Sequence, residues 1–169
     1  PNVLSGIEGI ENVEIINAID ALRGNKAVGN KVVVIGGGLT VIEMTYDMVL
    51  SGKTVDVIEM KESILGMDVV CSANAQMLNQ IIKYYKIPVH LGASIVRFEK
   101  DKVVYAVNGE EKEIECDTII ASIGYKPNTA LYDTLKEVYG DKVHLIGDSK
   151  QVSNLLGATW SAAELVNTL

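Results

Sequence analysis

The stretch Lys31–Glu59, KVVVIGGGLTVIEMTYDMVLSGKTVDVIE, decides how this chain folds. Lys31–Ile35 is a run of β-branched residues without alternation, the pattern of a central parallel strand covered on both faces. Gly36, Gly37 and Gly38 follow. An apolar helical pattern then runs from Leu39 to about Leu50 and stops at Ser51-Gly52. Thr54–Glu59 is a second buried strand. Strand, glycine turn, helix and strand form one βαβ unit of about the usual 30 residues.

Outward from this unit, Val13–Ile16 reads as a short strand. Asn17 caps a short helix that ends at Gly24. On the other side, Asp68 is placed to cap a helix reaching about Lys86, with Cys71, Ala75, Leu78, Ile82 and Tyr85 on one face. Pro88 cannot continue it, and Val89–Leu91 gives a third strand. The pattern then changes. Ser94–Glu99, Lys102–Val107 and Lys112–Cys116 are short strands, with Asn108-Gly109 as a hairpin turn. They predict an antiparallel three-stranded meander. Thr118–Ser122 and Val143–Ile146 read as further strands, and Ser153–Leu169 as a helix. The fold class is α/β and Rossmann-like, a parallel sheet plus the meander.

The 169 residues sit in the single-domain range, and 48% are apolar, enough for an ordered core. The net charge of −7 argues against a nucleic-acid partner. No apolar run approaches the ~18 residues of a membrane span. The chain opens on Pro1 without a signal-peptide pattern, which predicts an excised fragment. Cys71 and Cys116 form no CxxC pair, so a reduced, cytoplasmic protein is expected.

The glycine loop supplies the chemistry. Gly36 permits the sharp turn, and Gly38 lets backbone approach a pyrophosphate. The helix that starts at Leu39 and Thr40 offers N–H groups and the positive end of its dipole. Glu59 stands 23 positions after Gly36, where an acid accepts from the adenosine ribose hydroxyls. The same carboxylate repels a 2′-phosphate. No Arg follows in Met60–Met67, although Lys61 is near; Met60 and Lys61 flank the adenosine end. NADH is therefore expected over NADPH. Val41 stands where a third glycine or alanine keeps the helix close to the strand, so it is expected to displace the helix and weaken binding. A βαβ unit with glycines for packing alone is the competing reading.

Four motifs resemble the pyridine-nucleotide domain of the flavoprotein disulfide-reductase-like superfamily. They are Val32–Met44, Val55–Met60, Ala121–Thr129 (ASIGYKPNT) and Leu145-Ile146-Gly147-Asp148. Within it they are most similar to the C-terminal part of the 2,4-dienoyl-CoA reductase, 2-enoate reductase and trimethylamine dehydrogenase group, old yellow enzyme-like NADH:flavin oxidoreductases. The resemblance implies a three-layer FAD/NAD(P)-binding fold. It places Glu43 and Ile123-Gly124 near the nicotinamide and Asp148 on the ribityl chain of FAD; a helix acid, a simple turn and a turn acid are the plain alternatives. It implies that residues 30–121 form the NAD(P)-binding domain. Residues 1–29 and 122–169 then flank the missing part of an FAD half. The expected partners are that FAD-binding half and a catalytic barrel domain, with FMN and an iron–sulfur cluster possible in other domains. The implied function is delivery of hydride from NADH to a flavin, with an enoate- or enoyl-type alkene reduced elsewhere. A redox-inactive module holding ADP is the alternative. A methyltransferase also places an acid after a glycine loop, but the meander and Gly147-Asp148 argue against it.

No catalytic triad, paired carboxylates or metal site is read in the sequence. His90 and His144 sit in expected strands without a readable acid partner. Asp47, Asp56 and Glu62 read as solvated acids. Cys71 and Cys116 read as buried small hydrophobes, and Tyr84, Tyr85 and Trp160 as packing residues, Trp160 having the further option of facing a flavin domain.

Overall fold

The computed structural model describes residues 4–65 and 71–168. Its chain forms two units that meet at Ile123/Gly124. The first unit holds both sheets. Strands β1 (Ile15–Asn17), β2 (Lys31–Ile35), β3 (Thr54–Ile58), β4 (Val89–His90) and β8 (Thr118–Ala121) make an all-parallel sheet in the order β1-β8-β2-β3-β4. Strands β5 (Ala93–Glu99), β6 (Lys102–Val107) and β7 (Glu110–Glu115) make the antiparallel meander. Helices α1 (Ala18–Leu22), α2 (Leu39–Leu50) and α3 (Ser72–Tyr84) complete the unit. The α/β fold with two sheets agrees with the sequence reading.

The unbroken apolar run of β2 has a simple physical cause. Val32 and Val34 join a core with Val41, Ile42, Met44 and Met48 of α2 and Ala75 and Leu78 of α3. Val33 and Ile35 point the other way, into a second core with Phe98, Val103 and Tyr105 of the meander. Helices cover one face of the parallel sheet and the meander covers the other, giving three layers. Each fully buried Val or Ile contributes up to about 1.5–3 kcal/mol.

Local signals hold at the turns. The Asn17 side chain accepts from the Ile19 N–H at 2.8 Å, capping α1. Asn108 and Gly109 both take positive φ, 53° and 83°, as the tight β6–β7 hairpin requires. At the opposite end of the sheet from the glycine loop, the Asp117 carboxylate accepts from the Asn30 and Lys31 N–H groups at 2.8 and 3.0 Å and from the Thr118 hydroxyl at 2.9 Å. Burial raises its pKa, but these hydrogen bonds outweigh burial and hold it below the usual carboxylate value. A depressed folded-state pKa contributes stability above the unfolded value of about 3.9, lost as pH falls through the folded one. We expect Asp117→Asn to flatten the dependence of thermal midpoint on pH in that acidic window. An unchanged acid limb in melts at stepped pH would contradict this.

Several expectations are corrected. Val143–Ile146 is not a strand. Val143 and Ile146 have extended backbone, but among the described residues no strand pairs with the segment, and a strand exists only through its ladder. His144 is accordingly exposed outside any strand. A helix, α4 (Ala130–Tyr139), occupies a stretch read without one, and α5 (Leu155–Thr168) forms the tail helix; both lie in the second unit. Cys71 is exposed at the N-cap of α3, not buried on its face. The expected cap Asp68 lies outside the described residues. Tyr84 and Trp160 are 80% and 64% exposed, so neither is a core packing residue. Tyr85 is 38% exposed, with its ring 5.6 Å from that of Tyr46.

Candidate functional site

The adjacent parallel strands β8, β2 and β3 end side by side, and their carboxyl ends are where open α/β sheets place ligands. The turn out of β2 is fixed from both flanks. The Gly36 N–H donates to the Ile58 carbonyl at 2.8 Å, and the Ser122 N–H donates to the Ile35 carbonyl at 3.0 Å. Gly36 has φ 120°, and a Cβ there would run into the Ser122 carbonyl oxygen. Glycine is required by conformation and by contact together.

Gly37 is buried against the acid. A Cβ on it would stand 2.7 Å from Glu59 Oε2 and 2.9 Å from Ile64. Its carbonyl accepts from the Leu65 N–H at 2.8 Å, which ties the segment after β3 to the loop. Gly38 is different. It is the exposed N-cap of α2 with ordinary φ of −75°, and a Cβ there meets nothing within 4 Å. The ground in front of it is open to a ligand. The first intrahelical bond of α2 runs from Ile42 N–H to Gly38 carbonyl, at 3.2 Å. The N–H groups of Leu39, Thr40 and Val41 thus have no acceptor within the helix, and they share the positive dipole end.

Glu59 follows directly on β3. Its Oε1 accepts from the Lys61 N–H at 2.7 Å, while Oε2 lies against Gly37. Met60 is 69% exposed, and Lys61 is exposed beside it. Glu43 is exposed on α2. Val41 is fully buried in the helix-side core, its Cγ2 3.5 Å from where a Gly36 Cβ would stand. α2 therefore seats against β2 and β3 with valine at the third-glycine position. Ile123, 36% exposed, continues from the Ser122 that flanks Gly36. Gly124 has φ 86° and starts the second unit. Within that unit Asp148 sits in a single 3-10 turn, its Oδ1 accepting from the Ser153 N–H at 3.2 Å.

The donor set suits a dinucleotide. An anion-binding helix start, an uncluttered glycine and a carboxylate at the adjacent strand end are the groups that a pyrophosphate and an adenosine ribose need.

The profile of the pyridine nucleotide-disulphide oxidoreductases matches residues 1–153. The chain belongs to this family. Members of the pyridine nucleotide-disulphide oxidoreductase family are flavoprotein oxidoreductases that use NAD(H) and FAD. The chain is 37% identical to cinnamate reductase of Clostridium sporogenes over 158 residues, 92% of this chain and 23% of that protein. It is 27% identical to bilirubin reductase of Mediterraneibacter gnavus, over 89% of this chain and 23% of that protein. The solved structure of a 2-naphthoyl-CoA reductase superimposes with a TM-score of 0.76 and 27% identity, covering 95% of this chain and 24% of its own. Histamine dehydrogenase from Rhizobium sp. 4-9 shares the fold alone, at TM-score 0.79 and 16% identity. The chain spans about a quarter of the length of these relatives.

One group near the site differs from what its sequence suggests. Asp56 is not a solvated acid, and His90 does not lack an acid partner. His90 Nε2 donates to Asp56 Oδ1 at 2.8 Å, and the Tyr105 hydroxyl lies 2.9 Å from Nδ1. Asp56 and His90 side chains are only 20% and 25% exposed. The legible signal was position: Asp56 shares the meander-facing side of β3 with buried Ile58, and a polar group there needs a partner. Burial, then the carboxylate of Asp56, raises the pKa of the Tyr105 phenol. Cys116 is buried as expected. Burial first, then nearby carboxylates led by Asp117, push its thiol up to about 11, so it stays protonated and unreactive near neutral pH. Among the described residues no helix is long and apolar enough to cross a membrane.

Proposed function

We propose that this chain holds NADH and orients it toward a flavin within a larger flavin-dependent oxidoreductase that reduces an activated alkene of the enoate or enoyl type. The observation that carries the reading is the Glu59 carboxylate lying against Gly37, beside the free N–H groups that open α2. NADH, when bound, supplies the hydride and the family's FAD accepts it. In this reading the N–H groups of Leu39 and Thr40 take the pyrophosphate, and Glu59 accepts from the adenosine ribose hydroxyls. Met60 and Lys61 border the adenosine, and Glu43 and Ile123-Gly124 border the nicotinamide. Asp148 takes the ribityl hydroxyls of FAD, which an FAD-binding half outside residues 1–169 completes. The names of cinnamate reductase and 2-naphthoyl-CoA reductase support the class of alkene. A catalytic barrel, with FMN and iron–sulfur chemistry, belongs to the rest of such a parent. A cytoplasmic setting goes with this reading.

A second reading has the domain hold ADP without redox activity, since Glu59 and the N–H groups that open α2 would serve the ribose and pyrophosphate of ADP as they would those of NADH. Titration of the chain with NADH, NADPH and ADP separates these. We expect NADH to bind about tenfold or more tightly than NADPH, because a carboxylate facing a 2′-phosphate costs at least ~1.4 kcal/mol. Equal affinity for NADH and NADPH would sink the proposal. Equal binding of ADP and NADH, with no NADH oxidation once the flavin half is restored, would favour the second reading.

A further inference from the structure

Strand β4 is two residues long and lies at the edge of the parallel sheet, so its backbone ladder alone holds it weakly. It nevertheless anchors the acid of the candidate site. The Glu59 N–H donates to the His90 carbonyl at 2.9 Å. The Ala93 N–H returns to the Glu59 carbonyl at 3.0 Å, and the Gly92 N–H donates to the Lys61 carbonyl at 3.0 Å. Lys61 in turn donates its N–H to Glu59 Oε1. The backbone around Glu59 is thus set by where His90–Ala93 lies.

What fixes that segment is a chain of three side chains from three strands. A carboxylate only accepts, so Nε2 of His90 carries the proton donated to Asp56 of β3; in the neutral ring Nδ1 accepts from the Tyr105 hydroxyl of β6. The His90 and Tyr105 rings lie 4.9 Å apart. Tyr105 is only 3% exposed, and Asp56 lies on β3 three residues before Glu59, so the chain of side chains runs from a packed ring to the strand that carries the acid. We infer that Asp56, His90 and Tyr105 are positioning residues that hold the Glu59 carboxylate in place and thereby set discrimination for the ribose hydroxyls of the bound nucleotide. This rests on the assignment of Glu59 to the adenosine ribose.

The test compares ADP with its 2′,3′-dideoxy analogue, which keeps base and phosphates and lacks the ribose hydroxyls. Calorimetric titration of the full chain is run for wild type, Glu59→Gln, Tyr105→Phe and His90→Gln, with thermal melts in parallel. Tyr105→Phe removes one hydroxyl from a ring that stays packed, so it stays informative if His90→Gln folds poorly. We expect wild type to prefer ADP by about tenfold, and Tyr105→Phe to lower that preference to about threefold, with dideoxy-ADP affinity unchanged. Glu59→Gln should also lose preference, and adding Tyr105→Phe to it should cost nothing further. If wild type and Glu59→Gln behave as stated but Tyr105→Phe and His90→Gln keep the full preference, the positioning role is wrong and the Glu59 assignment stands. If both nucleotides weaken equally in Tyr105→Phe, the chain of side chains is merely structural. If wild type shows no preference between the two nucleotides, the Glu59 assignment fails and this inference falls with it.

Discussion

Gly36→Ala is expected to unfold the site, while Gly38→Ala, two residues on, is expected to keep the fold and lose the nucleotide. At Gly36 a side chain meets φ 120° and the Ser122 carbonyl oxygen together. Backbone strain of this kind costs about 1–3 kcal/mol before the collision is counted. At this chain length that is a fall in thermal midpoint of roughly 2–12 °C. Nucleotide binding should fall with it, since the β2–α2 turn cannot keep its path. At Gly38 the conformation suits alanine and the added Cβ meets nothing within 4 Å. The melt should therefore stay within about 1 °C, while NADH affinity drops by about tenfold or more, because the methyl group stands where the pyrophosphate approaches. A Gly38→Ala chain that binds NADH as wild type does would show that the open ground is not a phosphate site.

Removal of the acid should change selectivity more than stability. Glu59 is half-buried, and one of its oxygens accepts only a local backbone N–H. Its expected ligand contacts are charge-assisted hydrogen bonds of about 1.5–3 kcal/mol in total. Glu59→Ala should therefore weaken NADH by roughly tenfold to a hundredfold. NADPH should bind the variant no worse than it binds wild type, since the repulsion of its 2′-phosphate disappears with the carboxylate. The preference between the two cofactors would shrink toward unity. Fluorescence titration with each nucleotide measures this directly, and an undiminished preference would move the selectivity to another residue.

The resemblance carried by the glycine loop, the second acidic strand end and the Gly147-Asp148 motif leads to the same family as the profile match. The relatives extend well beyond this chain, and the partner domains and alkene substrate belong to the proposal that their names support. The geometry of residues 31–65 stands independently of those names. It sets the Glu59 carboxylate against Gly37 beside the N–H groups that open α2, the arrangement on which the proposed pyrophosphate and ribose contacts rest.

Residue order alone determined the βαβ unit, the meander and the parallel sheet. Each rests on local physics: an apolar run too uniform for a one-sided strand, glycines where φ must be positive, Asn108-Gly109 where two successive residues must turn left-handed. The same local reading went wrong where an element depends on a partner distant in sequence. Val143–Ile146 has strand-forming residues and extended backbone, but among the described residues no strand lies beside it to complete a ladder. Asp56 looks solvated in sequence and is shielded in the fold, because β4 and β6 bring His90 and Tyr105 to it across 34 and 49 positions. Gly37 reads as one glycine of three, yet only the folded chain sets it against the Glu59 carboxylate. Composition and spacing fix what a segment prefers; side-chain hydrogen bonds and close contacts between strands depend on angles and distances of a few ångströms, and only the packed structure supplies those.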